Sequence, residues 1–428
     1  MCLPTPPGLI KIINQQIFRF LWAKRDMIKR KALYCPISEG GLKIPDIQTQ
    51  FDALKASWIN RIFRSDETWT HIPKKSFKNM GCYKNQISLL ASNFIIPKQL
   101  PEIENIPPFY QEMITSYNKA KLQSQSNFVE NILDQPLWGN TFITHKHKTI
   151  WFKNWISSGI LTLRDLKIQN EKLDQNHIYN TLKRKTNFFS EFTIMREALS
   201  KFTLPDNPGA NGSKIPIFID DKCAVYEMQS YKTKFFYDKI IENVHEPPSS
   251  IHYWNVNGPI TLTHDIFKEA CVNKIQCIKD KKLAETNFKI LHNILPCNFN
   301  LFRWRLVDSK SCKICGESET IIHLIFECCY AKKVWKRVEN ILGIKSTLKD
   351  ILFGFDVEYD LNFVLSTIVF CIYKEWLICS LDGKLRKQSP NFEIYKNEIR
   401  YRKAIYERCK LFNFCSICQI FEKLIHEL

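Results

Sequence analysis

The chain has 428 residues, 45% of them hydrophobic, and carries 61 Lys and Arg against 43 Asp and Glu, a formal charge of +18. That hydrophobic share excludes gross disorder, and the length predicts two to three domains. The basic excess points to a polyanionic partner, because each phosphate neutralised by a cation releases counterions.

A membrane is the weaker partner. The longest apolar run, Val364 to Tyr373, ends in Lys374 and Glu375 and falls short of the roughly 20 residues a span needs. The opening Met1-Cys2-Leu3-Pro4 has no charged or apolar leader, so the 16 cysteines are expected to stay reduced in cytoplasm and nucleus. There, a tight Cys–His cluster is a metal candidate before it is a disulfide.

Helical periodicity dominates, and the expected fold is mainly α: a multi-helical chain with a small N-terminal β-hairpin and a small zinc-knuckle module. Pro6, Pro7 and Gly8 precede a helix with Ile10, Ile13, Ile17 and Leu21 on one face. From Leu33 to Ile44 the pattern alternates. Leu33, Cys35 and Ile37 lead into Gly40-Gly41, and Leu42 and Ile44 follow, which predicts the hairpin. A second helix carries Ile47, Phe51, Leu54, Trp58 and Ile62 on one stripe.

Residues 66–108 are proline-punctuated, and helical patterning returns to about Phe202. Pro205, Pro208, Gly209, Gly212 and Pro216 mark a linker, and a second break spans His245 to Pro259. Near the end, Ile394, Tyr401, Ile405, Cys409 and Phe412 give one more apolar face. The chain divides into 1–65 (two helices and hairpin), 66–202 (helical middle), 203–258 (linker and connecting helix), 259–345 (helical zinc-binding module) and 346–428 (basic helical tail).

The strongest chemical signal is Cys312-Lys-Ile-Cys315, with His323 and Cys328 following. Two cysteines flanking two residues set both thiolates at one pole of a tetrahedral ion. A histidine and a cysteine a little over one helical turn apart supply the other. Three thiolates and one imidazole close the coordination of Zn²⁺, the structural rather than the catalytic pattern. Gly316 permits the tight turn. Cys329 is the adjacent alternative to Cys328; we take Cys328 as the ligand. Cys415 and Cys418 repeat the two-residue spacing with no second ligand pair near them, and are read as thiols on an apolar helix. His145 and His147 are read as polar residues at a helix start.

Three basic stretches are candidate nucleic-acid surfaces, cations for phosphates and aromatics for unpaired bases. The first holds Lys24, Arg25, Lys29, Arg30 and Lys31 among Phe18, Phe20, Trp22 and Tyr34. Arg303, Arg305 and Lys310 form the second. The third runs from Lys384 to Lys410 and includes Arg400, Arg402 and Lys403.

The zinc set, with Glu319-Thr320 before the histidine and Trp335 after the last cysteine, resembles the zinc-binding region of LINE-type (non-LTR) retrotransposon reverse transcriptases. Phe20-Leu21-Trp22, Leu33-Tyr34-Cys35-Pro36, Gly40-Gly41-Leu42, Pro45-Asp46-Ile47 and Trp58-Ile59-Asn60-Arg61 resemble the segment that follows the polymerase palm in that family. Pro136-Leu137-Trp138-Gly139-Asn140, Trp155, Gly159-Ile160 and Leu166 resemble the region between that segment and the knuckle.

The resemblance implies target-primed reverse transcription by the intact element, with this region holding RNA and DNA beside the missing polymerase part. The family's endonuclease and its aromatic-Ala-Asp-Asp polymerase turn would lie upstream of the matching segments. Phe218-Ile219-Asp220-Asp221 is the one lookalike, but it sits far downstream of the matching opening and is read as a solvated turn. Neither a phosphate-cradling glycine loop nor Gly-x-Ser-x-Gly nor His-Glu-x-x-His occurs. The expectation is therefore a binding region without a catalytic centre. The alternative is a host protein derived from such a fragment, whose zinc module mediates protein contacts. Oligomeric state is not legible.

Overall fold

The computed structural model describes residues 4–23, 25–64, 67–78, 107–121, 137–140, 143–166, 173–200, 216–219, 225–227, 232–258, 261–355, 359–381, 389–409 and 414–428. Their architecture is mainly helical. The chain forms two compact units: Met1–Ile17 with Pro45–Val244, and Phe18–Ile44 with His245–Leu428. Both are discontinuous in sequence.

In the first unit, the helix Ile47–Arg64 packs against Pro108–Lys121 and Thr233–Ile241. Its buried face is Ala53, Ala56, Ile59 and Ile62, while Leu54 is 44% exposed. The apolar stripe read from the sequence is thus rotated from the one that packs. Two alanines let the neighbouring helices approach closely, and small residues do not stand out in a periodicity of large ones. Asp52, on the same inner face, accepts from Ser116 Oγ at 2.8 Å and pairs with Lys119 Nζ at 2.7 Å. Its burial is therefore compensated.

Trp138 and Trp155 of the middle region are core. Trp138 Nε1 donates to the Ile160 carbonyl at 2.8 Å, and Trp155 Nε1 to Glu191 Oε2 at 2.8 Å. A two-stranded antiparallel sheet pairs Thr144–His145 with Lys148–Thr149. Lys146 and His147 form its tip at φ +49° and +63°, so these histidines lie on a tight β-turn and not at a helix start. A second pair joins Pro216–Ile219 to Val225–Glu227. Asp220 and Asp221 lie outside the described residues.

The second unit contains the segment predicted as the N-terminal hairpin, and no strand pairing forms there. Arg30–Tyr34 is a short helix, Pro36 opens a 3-10 turn over Ile37–Glu39, and Gly40 closes it at φ +85°. Leu42 N and Ile44 N both return to the Leu33 carbonyl, at 3.0 and 3.2 Å. Ala32, Leu33, Tyr34 and Cys35 are buried in succession while Ile37 is exposed, so burial does not follow the apparent alternation. A Cβ on Gly41 would stand 1.9 Å from the Cys35 carbonyl oxygen, which is why the chain can double back so tightly.

The long helix Tyr359–Leu381 is the centre of this unit. It packs against Lys281–Leu291, Phe392–Cys409, Phe414–Glu427 and two π-helical turns, Val272–Gln276 and His323–Glu327. By length and composition its stretch Asp360–Ser380 is apolar enough to cross a membrane, and 61% of that stretch is buried within the fold. Phe363, Val364, Leu365, Ile368, Val369 and Ile372 supply much of that burial. Such a helix, hydrophobic nearly all round, is what a core position surrounded by other helices requires.

Candidate metal centre

The knuckle begins as a short loop that folds onto itself. Ser311 bridges Ser318, Cys312 N donates to the Glu317 carbonyl at 2.7 Å, and Gly316 N to the Cys312 carbonyl at 2.9 Å. Gly316 takes φ +78°, the left-handed conformation the closing residue needs. The second ligand pair comes from the π turn His323–Glu327, where Cys328 N donates to the His323 carbonyl at 2.8 Å. That bond spans five residues instead of four. An α-helix would turn residue 328 away from 323, and the wider turn returns both side chains to one side. Single π turns of this kind recur at functional sites.

Cys312, Cys315, His323 and Cys328 converge, with ligand atoms all within 4.8 Å of one another. Cys312 Sγ lies 3.9 Å from Cys328 Sγ, and Cys315 Sγ lies 3.2 Å from His323 Nε2. Cys312, His323 and Cys328 are buried while Cys315 faces solvent. Cys329 is exposed, starts the helix Cys329–Leu342, and stands outside the cluster. Of the two adjacent cysteines, Cys328 is the one whose sulfur lies within the cluster.

Electrostatically, the four donors share a negative charge. Hydrogen bonding from Cys328, and then from His323, pulls the Cys312 thiol down to about 3, and the same partnership pushes Cys328 up. Hydrogen bonding to Cys312, and then the Cys312 charge, raise the His323 imidazole. A thiolate gathered among thiols and an imidazole is the donor set that a divalent soft ion satisfies, with no position left open.

The surrounding shell ties the cluster to the helices. The buried Glu319 carboxylate accepts from Asn298 N at 3.0 Å and Trp376 Nε1 at 2.9 Å. Burial lifts its pKa to about 7. Thr320 Oγ1 accepts from His323 N at 3.1 Å, and Trp335 Nε1 donates to the Ile325 carbonyl at 2.7 Å, clasping the π turn. Glu319, Thr320 and Trp335 belonged to the sequence motif; their roles as braces become visible only here. Such partners hold ligands in orientation.

Residues 263–335 match the family model for zinc-binding in reverse transcriptase. No curated protein matches the chain. The matched stretch starts at Thr263, whose hydroxyl caps the helix His264–Cys271, and ends at Trp335. This stretch is a reverse-transcriptase-related zinc domain.

The predicted nucleic-acid residues separate sharply. Arg303, Arg305 and Lys310 are exposed and, among the described residues, have no acidic partner. Phe302 and Leu306, 47% and 69% exposed, interleave with them. Lys29 and Lys31 reach Glu246 at 3.7 and 2.6 Å, and Arg30 pairs with Asp26 while lying 4.3 Å over the Phe18 ring. Arg25 is exposed, and Lys24 lies outside the described residues.

In the tail, Arg400 is exposed and donates to Asn397. Lys403 pairs with Glu407 and Glu422. Arg402 corrects the sequence reading. It is 1% exposed, pairs with Glu398 and Asp280, and stacks on Phe370. Its guanidinium belongs to the core, because Glu398 one turn earlier and Asp280 from a distant segment both reach it. Cys418 is buried as expected, whereas the side chain of Cys415 and the ends of the basic stretch, Lys384 and Lys410, lie outside the described residues.

Proposed function

We propose that this chain is the nucleic-acid-holding region of a LINE-type (non-LTR) retrotransposon reverse transcriptase, on the C-terminal side of its palm, and that Cys312, Cys315, His323 and Cys328 hold one structural Zn²⁺. In this reading the knuckle sets a rigid edge, and the ridge Phe302–Lys310 presents it to template RNA and target DNA during target-primed reverse transcription. The observation that carries the proposal is the adjacency of a closed Cys₃His cluster to three exposed cations that form no ion pair among the described residues. Phosphates would find those cations unengaged, and the exposed Phe302 offers a face on which an unpaired base can stack.

The test is binding of single-stranded and structured RNA as salt is varied. Each phosphate contact contributes roughly 0.7 to 0.9 to the slope of log affinity against log salt. A steep slope that falls when Arg303, Arg305 and Lys310 are changed to Gln supports the reading. A flat slope favours the protein-contact alternative, for which the exposed Phe302 and Leu306 would serve as an apolar anchor.

A further inference from the structure

A second convergence of donors lies far from the knuckle in sequence. Cys35, Glu39 and His245 place one ligand atom each within 4.8 Å of the other two. Among the described residues, only this group and the knuckle bring three or more metal-type donors together. We propose that Cys35, Glu39 and His245 form a second metal site, taking a divalent transition-metal ion such as Zn²⁺ on three protein ligands, with an open position toward the adjoining pocket.

The geometry follows from the turn that replaced the expected hairpin. Cys35 ends the helix Arg30–Tyr34, Pro36 starts the 3-10 turn, and Glu39 is its last residue before left-handed Gly40. The tight turn brings the carboxylate back over the thiol. His245 arrives from the other segment of the unit and is held there through its neighbour. The Glu246 carbonyl lies 3.6 Å from Cys35 Sγ, and the Glu246 carboxylate pairs with Lys31 and Lys29. His245 Nε2 is buried with no hydrogen-bond partner. A buried imidazole nitrogen without a partner costs free energy that a ligated ion would recover.

A tetrahedral ion with bonds near 2.0–2.3 Å sets its donors about 3.3 to 3.8 Å apart. The three side chains therefore need to close only slightly. Two existing contacts compete with ligation. Cys35 Sγ is also 3.7 Å from the Lys31 carbonyl, and Glu39 Oε1 is 3.3 Å from Lys268 Nζ. A carboxylate has a second oxygen for the ion, so the lysine pair can persist. Burial and the Glu39 charge hold the Cys35 thiol above its ordinary value, so ligation would displace its proton.

The three donors line one side of a pocket of 620 Å³ that His252 and His264 also border. Three protein ligands facing a cavity differ from the knuckle's closed set of four. They leave room for water, or for an oxygen of a bound ligand, on the metal.

The full-length protein, stripped of metal under reducing conditions and titrated with Zn²⁺, should bind two equivalents. His245→Ala should remove one equivalent, and Cys328→Ser should remove the other. Glu39→Gln, nearly isosteric and on a half-buried turn, should weaken the second equivalent by about tenfold or more without threatening the fold. With Co²⁺ as the probe, the second site should add a sulfur-to-metal absorption weaker in proportion to its single thiolate. Saturation at one equivalent in the unaltered protein overturns the proposal. So does a second equivalent that survives both His245→Ala and Glu39→Gln.

Discussion

Lys29, Arg30 and Lys31 look like Arg303, Arg305 and Lys310 when read as sequence: three cations in a short stretch, beside aromatic residues. The fold treats them differently. The first set is answered by Asp26 and Glu246, and Glu246 stands 215 residues from Lys31. The second set forms no ion pair among the described residues. Exposed ion pairs are worth only about 0–1 kcal/mol each, so they do not lock the first set away. A phosphate must nevertheless displace them, whereas it would meet Arg303, Arg305 and Lys310 uncommitted. Local charge density therefore overstates a binding surface wherever the chain returns an acid from far away.

The comparison breaks most completely if the knuckle is removed. Cys328→Ser should abolish zinc binding and unfold the module, since structural zinc is worth on the order of 10 kcal/mol in small domains. The Arg303–Lys310 ridge should then lose its support while Arg30–Tyr34 keeps its helix. Cys329→Ser should leave zinc content unchanged by elemental analysis, and a loss there would place the fourth ligand wrongly.

Next in size is the cation that the sequence put on the surface. Arg402→Met removes the buried cation shared by the half-buried Glu398 and Asp280, leaving Glu398 with Lys374 and Asp280 with the Lys282 and Leu283 amides. It should cost about 3–5 kcal/mol in denaturant unfolding, with RNA affinity of the folded protein unchanged.

Lys274 is a third kind of cation: 1% exposed, with no hydrogen-bond partner for Nζ. Burial lowers it from 10.5 to about 7. Between those values the unfolded chain binds the extra proton, so stability rises with pH across that window. Lys274→Met should flatten the rise and stabilise the protein at pH 7 by up to about 4 kcal/mol. A wild-type stability that stays level from pH 7 to 10 would contradict it.

Smaller effects belong to the two surfaces themselves. Changing Arg303, Arg305 and Lys310 together to Gln should lower the salt slope of RNA binding by roughly 2 to 3. The same change at Lys29, Arg30 and Lys31 should lower it by less than about 1, because those cations already have partners. Equal slopes for the two triple variants would erase the distinction drawn here.

The zinc set was legible because its four ligands lie within one short stretch, where spacing alone fixes which donors can meet. The mainly helical class was legible from period, as in Leu9–Trp22 and Phe392–Cys409. What failed depended on distance. Leu33 to Ile44 alternates like a strand, yet Ala32 to Cys35 are buried without a break while Ile37 is exposed, and that burial is set by segments far downstream. Arg402 was placed by its charged neighbours, while the Asp280 that draws it inward belongs to another helix. Cys35, Glu39 and His245 carry no common pattern at all, since a turn and a returning chain bring them together.

That returning chain also sets a clock. The Gly40 carbonyl accepts from the His292 ring Nε2, 252 residues later, at 2.7 Å, and Lys31 waits 215 residues for Glu246. At about 5 to 20 residues per second, a ribosome takes roughly 10 to 50 s to make the second partner after the first. Throughout that interval Leu33, Tyr34 and Cys35 are synthesised but their unit is not. Apolar side chains and a free thiol that the finished unit buries are exposed to whatever binds nascent chains, while the Pro45–Val244 segment emerges between the two halves of the unit they belong to. Chaperone occupancy during synthesis should therefore peak over residues 18–44 and fall once His292 has left the exit tunnel.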